Sequence, residues 1–460
     1  MFKKIFSALA TRLMGNFYAN DPTTPDLTIK SDIPQAGQLK YAVRGMTLTP
    51  KNPTEARALS CHITMGNCLN MLQKQVSSPV KKWSATQSLL IVPEAGRDLN
   101  AYYDRASLKF FSHPFRGKTY HFADSADIVT HELGHAFLDA MRPDFWSVQS
   151  LEIWSFHEAF SDITAMFHIM NYDVAINKVL AETRGNLMVS NTISKLAEEV
   201  GILIRAVTKD SSYLPDALRN PAVEKFFYVN PASLPRKAKN NALAAECHSF
   251  GRVFSNAWYN IFARVYNLNV SKGQSQFDAF KSARDFCYST MIQAVPLSPR
   301  VPNYYSAIAK QMVAVAKSKN LANSEIMKSV FLEWKILTPT DLSGLSTMSY
   351  RDLVSGLKRN DVVFKNSKVT TICVKEQREF FSSQLPIAGS LSSSEDFKIE
   401  VASDKFYEFD ENGNLVSQIE PTDEDVKSAA GQSLLLISGE LGPSKMWNIE
   451  NNRLARRFIV

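Results

Sequence analysis

The sequence predicts an α+β fold. We expect a small mixed α/β N-terminal lobe and a mainly α-helical C-terminal lobe, with one histidine-containing helix between them and a β-containing accessory region after them. Three patterns predict this: apolar residues recur at helical spacing over residues 54–76, Ser88–Val92 is a short apolar strand, and helical segments follow over 277–334. At about 150 residues per domain, 460 residues also predict more than one lobe.

The chain divides into four predicted segments: an N-terminal arm (1–39), an α/β lobe ending in the histidine-containing helix (40–145), a helical lobe (146–337) and an accessory domain with β-strands (338–460). Residues 20–32 are rich in Pro, Thr and Asp, which is typical of an irregular arm. Within the accessory segment, residues 362–374 and 397–416 predict strands, and E-N-G-N at 411–414 predicts a hairpin turn. The alternative is a structural extension that packs on the helical lobe.

Composition and charge exclude several functions. The net charge is +7 and no dense Lys/Arg block with interleaved aromatic residues occurs, so nucleic acid is not an expected partner. No apolar stretch is long enough to span a bilayer, so no transmembrane segment is expected. Arg12 interrupts the apolar run after Lys4, and we identify no convincing signal peptide. Localisation stays open, with the cytoplasm favoured over export.

The α/β lobe is predicted from short elements that precede the histidine-containing helix. Ser88–Val92, S-L-L-I-V, is a strand by composition. Residues 101–111 alternate around Asp104 and Arg105, as a hairpin does. Asp124 and Ser125 are good N-caps for the next helix, which Arg142-Pro143 ends.

The motif that predicts chemistry is V-T-H-E-L-G-H-A-F at residues 129–137. Residues four apart on a helix project from one face, so His131 and His135 can share a metal ion. Glu132 can take a proton from a metal-bound water, as in the H-E-x-x-H pattern of zinc peptidases. The alternative is an ordinary amphipathic helix with two histidines.

A second motif, F-H-E-A-F-S-D-I, occupies residues 156–163. A helix that folds back here can offer the Glu158 carboxylate to the same metal. Asp162, one turn later, can accept the free N–H of a ligand histidine and so fix its tautomer. Surface acids on an amphipathic helix are the alternative, but apolar neighbours predict burial, and buried carboxylates need partners.

The two motifs together resemble the thermolysin-type zinc metalloendopeptidases, whose pattern is H-E-x-x-H followed by N-E-A-x-S-D. The resemblance covers about residues 40–337. It implies a Zn²⁺ cofactor held by His131, His135 and Glu158. It also implies Glu132 as the general base and a peptide or protein as the substrate.

Three further stretches resemble the same family in the same order. N-A-Y-Y at 100–103 is similar to its edge strand, which implies that Asn100 and Ala101 pair with the substrate. L-R-N-P at 218–221 is similar to the segment whose arginine, here Arg219, holds a substrate carbonyl. C-H-S-F-G at 247–251 is similar to the segment whose histidine, here His248, stabilises the oxyanion. The alternatives are a surface arginine near a turn and a core or surface histidine at the start of a long helix.

Three departures from the family pattern also lead to expectations. His157 replaces the usual Asn before the third ligand, and we expect it to contact the metal ligands without binding the metal. No tyrosine stands between His135 and Glu158, so Trp146, Trp154 or a tyrosine from elsewhere is expected to fill that space. The acids that the family places after Asp162 are replaced by M-F-H-I, so calcium is not implied.

These features favour a zinc metalloendopeptidase over two other classes. An aminopeptidase of the same zinc class would need a chain-terminus recognition element such as G-x-M-E-N, which is absent from the sequence. The non-enzyme alternative is a catalytically weak or inactive zinc-containing protein that binds peptides. Glu132 argues against it, because a structural zinc site has no use for a base.

Overall fold

The computed structural model describes residues 14–35, 37–146, 150–301 and 303–342, and seven strands between 368 and 459. The predicted α+β class is confirmed. The first part of the chain contains β1 (Met14–Tyr18), β2 (Thr28–Asp32), β3 (Lys40–Val43), α1 (Pro53–Gln75), β4 (Ser88–Val92), β5 (Ala101–Tyr103), β6 (Ser107–Phe110), β7 (Ser112–Phe115), β8 (Lys118–His121) and α2 (Ala126–Met141). The helical part contains α3 (Leu151–Ile169), α4 (Asp173–Thr183), α5 (Glu198–Thr208), α6 (Cys247–Ser271), α7 (Gln276–Ala294), α8 (Tyr304–Lys319), α9 (Leu321–Glu333) and α10 (Pro339–Leu342).

The last part of the chain contributes β9 (Lys368–Cys373), β10 (Lys398–Ser403), β11 (Phe406–Phe409), β12 (Leu415–Ile419), β13 (Trp447–Glu450), β14 (Arg453–Arg456) and β15 (Phe458–Ile459). These strands confirm that the region contains β-structure. β9 pairs antiparallel with β10, β11 with β12, and β13 with β14. The predicted turn at 411–414 lies outside the described residues.

A five-stranded sheet in the order β15-β5-β6-β4-β3 forms the N-terminal lobe. β4 runs parallel to β3 and β6, and β5 is antiparallel to β6. The predicted strand at Ser88–Val92 and the predicted hairpin after it are both confirmed. In the hairpin turn the Asp104 carboxylate accepts the Ser107 N–H at 2.7 Å, and Arg105 adopts a left-handed φ of 71°. The predicted helix over 54–76 is confirmed by α1, which packs against β1, β3 and α2.

The segment before the sheet is tied to the start of α2. β1 and β2 form an antiparallel pair, and Phe17 and Ala19 are buried against α1. The Ala126 N–H in the first turn of α2 donates to the Asn20 carbonyl at 2.6 Å. The Glu199 N–H of α5 donates to Asp21 Oδ1 at 3.1 Å. These bonds join the N-terminal segment to both lobes.

α2 has the limits that the sequence predicts. It begins after Ser125 and ends before Arg142. α3 follows it and packs on one side against α2 and on the other against α6. The three helices are almost wholly buried along their contact, and they carry most of the candidate site residues.

Two glycines allow these helices to approach closely. A Cβ atom added to Gly134 on α2 would lie 2.7 Å from the Ser161 Cα on α3. A Cβ atom added to Gly251 on α6 would lie 2.9 Å from the Glu158 Cβ. Both distances are too short for real carbon atoms, so each contact requires glycine. These two glycine contacts, at Ser161 and at Glu158 itself, therefore set how closely α2 and α6 pack on α3.

The remaining helices form an aromatic core behind these three. α7, α8 and α9 confirm the helices predicted over 277–294, 303–317 and 323–334 within a few residues. Phe156 on α3 meets Phe254 and Tyr304 in edge contacts at 5.2 and 5.1 Å between ring centroids. Among the described residues, we find no helix with both the length and the apolar character needed to cross a membrane.

We predict that Gly134→Ala lowers the free energy of unfolding by about 1–3 kcal/mol, because the added methyl group overpacks the α2–α3 contact. The helices must move apart to relieve this overpacking. That movement also separates the candidate ligands on α2 and α3, so we expect the metal affinity to fall as well. Chemical denaturation and metal titration of the purified variant measure both effects.

Gly37→Ala is the matched control, since a Cβ atom there meets nothing within 4 Å. Equal stability and metal affinity for the two variants would show that the α2–α3 contact does not depend on glycine.

Candidate active site

His131, His135 and Glu158 come together at the α2–α3 contact. The two histidine Nε2 atoms lie 3.1 Å apart. Glu158 Oε2 lies 3.4 Å from His131 Nε2, and Glu158 Oε1 lies 3.7 Å from His135 Nε2. All three residues are buried, with exposed fractions of 3%, 0% and 1%. The two sequence motifs thus meet at a single point inside the fold.

These separations fit a tetrahedral zinc ion. Zinc–nitrogen bonds of about 2.0–2.1 Å at tetrahedral angles place two ligand atoms about 3.3 Å apart. Neither oxygen of Glu158 has a hydrogen-bond partner among the described residues, although a buried carboxylate needs one or a cation. Two imidazoles and one carboxylate also form a ligand set that leaves the fourth zinc position open, as in catalytic sites.

The Glu132 carboxylate lies beside this group. It has an exposed fraction of 0%, and neither of its oxygens has a hydrogen-bond partner in the described part of the chain. Potential ligand atoms of Glu132, His131 and His135 lie within 4.8 Å of one another. Burial raises the pKa of Glu132 to about 8, against the opposing effect of His131. A carboxyl group with a pKa near neutrality is suited to accept and return a proton.

Asp162 contacts the His131 ring at Nδ1, on the side away from Glu158. Its Oδ1 lies 3.0 Å from His131 Nδ1, so the other ring nitrogen, Nε2, faces Glu158. Burial opposes ionisation of Asp162, but Arg219 and His131 bring its pKa below the usual value. Burial also opposes the charge on His131, but Asp162 and Glu158 raise its pKa to about 9. A metal bound at His131 must therefore displace a proton.

Arg219 lies behind Asp162. It donates to Asp162 Oδ1 through Nε at 3.1 Å and through Nη2 at 2.8 Å, and its exposed fraction is 8%. Arg219 is therefore not the surface arginine of the alternative interpretation. It also lines the cavity beside His248, which keeps it within reach of a ligand there.

His157 contacts a candidate ligand, as expected from the sequence. Its ring stacks on that of His135, with centroids 5.9 Å apart and planes inclined by 24°. Phe145 meets the His157 ring edge-on at 6.2 Å. Among the described residues, neither group of potential metal-ligand atoms includes His157. His157 therefore packs against the ring of the candidate ligand His135.

The first turn of α6 brings His248 to the same group. Its Nε2 lies 3.6 Å from Glu158 Oε2, and its Nδ1 contacts Glu246 Oε1. Burial opposes ionisation of Glu246, but His248 lowers its pKa to about 2. The His248 pKa is held well above its ordinary value, because Cys247, Glu158 and Glu246 outweigh the effect of burial. These neighbours favour the protonated form of His248 beside the candidate ligand Glu158.

Sequence reasoning missed two residues beside His248. Glu246 caps α6 and accepts the backbone N–H groups of His248 and Ser249. An acid immediately before a helix is a signal that could have identified it. The Cys247 sulfur lies within 4.8 Å of ligand atoms of Glu158 and His248. No spacing in the sequence indicates this role for a single cysteine.

Asn100 and Ala101 lie at the start of β5, as predicted, but the outer edge of this strand is occupied. β15 pairs with it antiparallel, with Phe458 opposite Tyr103 and Ile459 opposite Tyr102. β5 runs beside α2, because the Tyr103 hydroxyl donates to Asp139 at 2.8 Å, four residues beyond His135. The strand edge predicted to bind substrate is thus covered by the chain itself, which the sequence did not reveal.

The three candidates to replace the missing tyrosine lie in different places. Trp146 packs edge-on against Tyr103 at 5.6 Å, and Trp154 is buried in the core. Tyr213 lines a cavity together with His248. Tyr213 is therefore a candidate for the tyrosine from elsewhere.

This cavity has a volume of about 370 Å³ and opens beside His248. Basic side chains dominate its wall: Arg219, Arg236, Lys237, Lys239 and Arg252. The acids in the wall are Asp210 and Glu246. Sequence reasoning missed this cavity, because its loop residues follow no periodic pattern.

Comparison of the chain with protein-family models and with curated protein sequences found no match. The resemblance to thermolysin-type peptidases therefore stays a prediction from the motifs. A functional assignment depends on the arrangement of the site residues.

We predict that the protein binds one equivalent of Zn²⁺ and that Glu158→Ala weakens this binding at least 100-fold, because one of three ligands is lost. Affinity should fall as the pH is lowered from 9, since the proton on His131 then competes with the metal. Calorimetric titration in buffers of different ionisation enthalpy measures the affinity and the protons released.

His113→Ala, a change on β7 away from α2 and α3, is the control for loss of a histidine. Unchanged zinc affinity in the Glu158→Ala protein would place the metal elsewhere.

Proposed function

We propose that this chain is a zinc-dependent metalloendopeptidase that hydrolyses internal peptide bonds. One observation carries the proposal: the buried Glu132 carboxylate, with no hydrogen-bond partner among the described residues, stands beside two imidazoles and a carboxylate spaced for one ion. A structural metal site gains nothing from such a carboxylate, whereas a hydrolytic site requires a base.

His131, His135 and Glu158 would hold the zinc. When bound, the ion supplies Lewis acidity, which lowers the pKa of water towards about 7 and polarises a carbonyl group. Asp162 orients the His131 ring through Nδ1, and Arg219 stabilises the negative charge of Asp162. These interactions keep the ligand nitrogen directed at the metal.

Glu132 is the proposed general base. It removes a proton from the attacking water and then delivers that proton to the leaving amine. Without a bound metal, burial raises the pKa of Glu132 to about 8, so this carboxylate takes up a proton more readily than one in water. The helix fixes Glu132 next to His131, so the acceptor oxygen does not need to be ordered during the reaction.

His248 is the proposed stabiliser of the oxyanion that forms when water attacks the carbonyl. Glu246 contacts Nδ1 and favours the charged ring, which leaves Nε2 on the side of Glu158 as a donor. The N-terminal end of α6 adds a favourable dipole at the same position. Asn100 and Ala101 would align the peptide as an added strand once β15 leaves the β5 edge.

A second candidate function follows from Cys247. Its sulfur belongs to a group of potential ligand atoms with Glu158 and His248. A thiolate ligand would complete four-coordinate zinc and leave no position for water, as in structural sites. The protein would then be a zinc-containing peptide-binding protein without activity.

We predict that Glu132→Gln keeps zinc stoichiometry but lowers the rate of peptide hydrolysis at least 1000-fold, because the amide cannot accept the proton. Denatured polypeptide and short peptides with free termini are incubated with the zinc form, with and without a chelator, and cleavage positions are read by mass. Internal cuts that disappear with chelator support the proposal.

Glu152→Gln is the matched control, since Glu152 is also a buried acid but bonds to Tyr228 and Tyr305 away from the ligands. Full activity in the Glu132→Gln protein would contradict the proposed role of Glu132. No cleavage by the wild-type zinc form would favour the binding protein.

A further inference from the structure

The cavity beside His248 carries a charge pattern that the proposed chemistry does not use. Three basic residues on one short loop, Arg236, Lys237 and Lys239, form part of its wall. None of them has an ion-pair partner within 4.0 Å in the described part of the chain. Lys237 and Lys239 are exposed, and Arg236 is half-buried. Their positive charges are thus open to a ligand in the cavity.

The positive charges of the other two basic residues in the wall are already paired with carboxylates. Arg219 pairs with Asp162 at 2.8 Å, and Arg252 pairs with Glu224 at 3.3 Å. Of the acids in the wall, Glu246 contacts His248, and Asp210 is left as the acid facing three cations. The loop therefore gives the cavity an excess of positive charge.

The cavity adjoins the candidate metal centre at His248. This residue lines the cavity, and its Nε2 lies 3.6 Å from Glu158 Oε2. His248 thus lies both beside Glu158 and in the wall that carries the basic loop, so a peptide bound at the metal would have its neighbouring residues on the side of this cavity.

We propose that this cavity is a binding site for an anionic group of the bound peptide, either an acidic side chain or a terminal carboxylate. The proposal rests on the proposed peptidase function and names its substrate class. Arg236, Lys237 and Lys239 attract the anion, while Leu218 and Tyr213 contact the rest of the residue. Because the loop cations are largely exposed, we expect the preference to be about tenfold and to weaken at high salt.

The test uses quenched peptides that differ at one residue near the cleavable bond, with Glu, Gln or Leu, each as free acid and as C-terminal amide. The zinc-loaded wild type is compared with R236A/K237A/K239A, and kcat/KM is measured at low and high salt. K30A/K51A/K74A removes three exposed lysines elsewhere and serves as the charge-matched control. A second measurement is the Kd of the same labelled peptides for the zinc-loaded Glu132→Gln protein, which needs no hydrolysis.

The expected result is a Glu-to-Gln ratio near 10 in wild type and control that falls towards 1 in the loop variant and in 1 M salt. A preference for free acids over amides would identify the terminal carboxylate as the anion, and a preference for Glu over Gln would identify the side chain. Equal binding of all peptides, or an unchanged ratio in the loop variant, would overturn the proposal. Cleavage without this preference would leave the peptidase function intact, whereas preferential binding without cleavage would refute only the catalysis.

A second, independent observation concerns the outer edge of β5. β15 (Phe458–Ile459) pairs with this edge, although more than 350 residues separate the two strands in the sequence. β5 would otherwise be the edge of the sheet, since β6 occupies its other side. An unpaired edge strand can bind an extended peptide through backbone hydrogen bonds.

We infer that β15 occupies the outer edge of β5 in competition with a peptide substrate. This inference also rests on the proposed function. β15 already pairs with Tyr102 and Tyr103 on this edge, so a peptide extended along β5 from Ala101 would have to displace it. Release of β15 would then be required before a peptide is aligned next to α2.

The test compares the full chain with a variant that ends at Arg456 and with Ile459→Pro, which removes one backbone donor from β15 without shortening the chain. Both should lower KM for a peptide substrate about fivefold or more, and lower its Kd for the Glu132→Gln protein equally. A synthetic peptide of residues 453–460 should restore the wild-type value as a competitive inhibitor. Circular dichroism and melting temperature confirm that the sheet is retained.

Unchanged KM and Kd in both variants, with the fold retained, would overturn the inference. So would failure of the synthetic peptide to compete. Because the Kd is measured on a protein that does not hydrolyse, this result is distinct from an absence of peptidase activity.

Discussion

Glu158 places a carboxylate inside the contact between α2, α3 and α6, where its exposed fraction is 1% and no hydrogen bond from the described residues reaches it. Such a charge is costly in an apolar interior unless cations compensate it, and without a metal the protonated imidazoles of His131 and His248 are the cations beside it. The two histidine nitrogens at 3.4 and 3.7 Å are positioned to share a metal cation with it. Gly134 and Gly251 keep the helices close enough for this arrangement.

The features that could be predicted from the sequence are those that depend on residues close together in the chain. His131 and His135 are one helical turn apart, and Asp162 is one turn beyond Glu158, so local geometry already places each pair on one face. The strand at Ser88–Val92 and the limits of α2 follow equally from local composition and capping. Contacts that join distant segments could not be predicted in this way. Arg219 meets Asp162 across 57 residues, and β15 meets β5 from the far end of the sequence.

The chemistry and the selectivity of the proposed enzyme come from different kinds of structure. The candidate zinc ligands and Glu132 lie on buried helices, whose packing fixes them within a small range of positions. The basic loop over residues 236–239 lies outside these helices, and surface loops accept substitutions more readily than a packed core. His248 belongs to both parts, since it adjoins Glu158 and lines the cavity.

X-ray absorption at the zinc edge of the zinc-loaded protein tests the proposed catalytic site most directly. Our assignment predicts nitrogen and oxygen neighbours only, at about 2.0–2.2 Å, from His131, His135, Glu158 and solvent. A sulfur neighbour at about 2.3 Å would contradict it, because Cys247 would then close the coordination and leave no place for the attacking water.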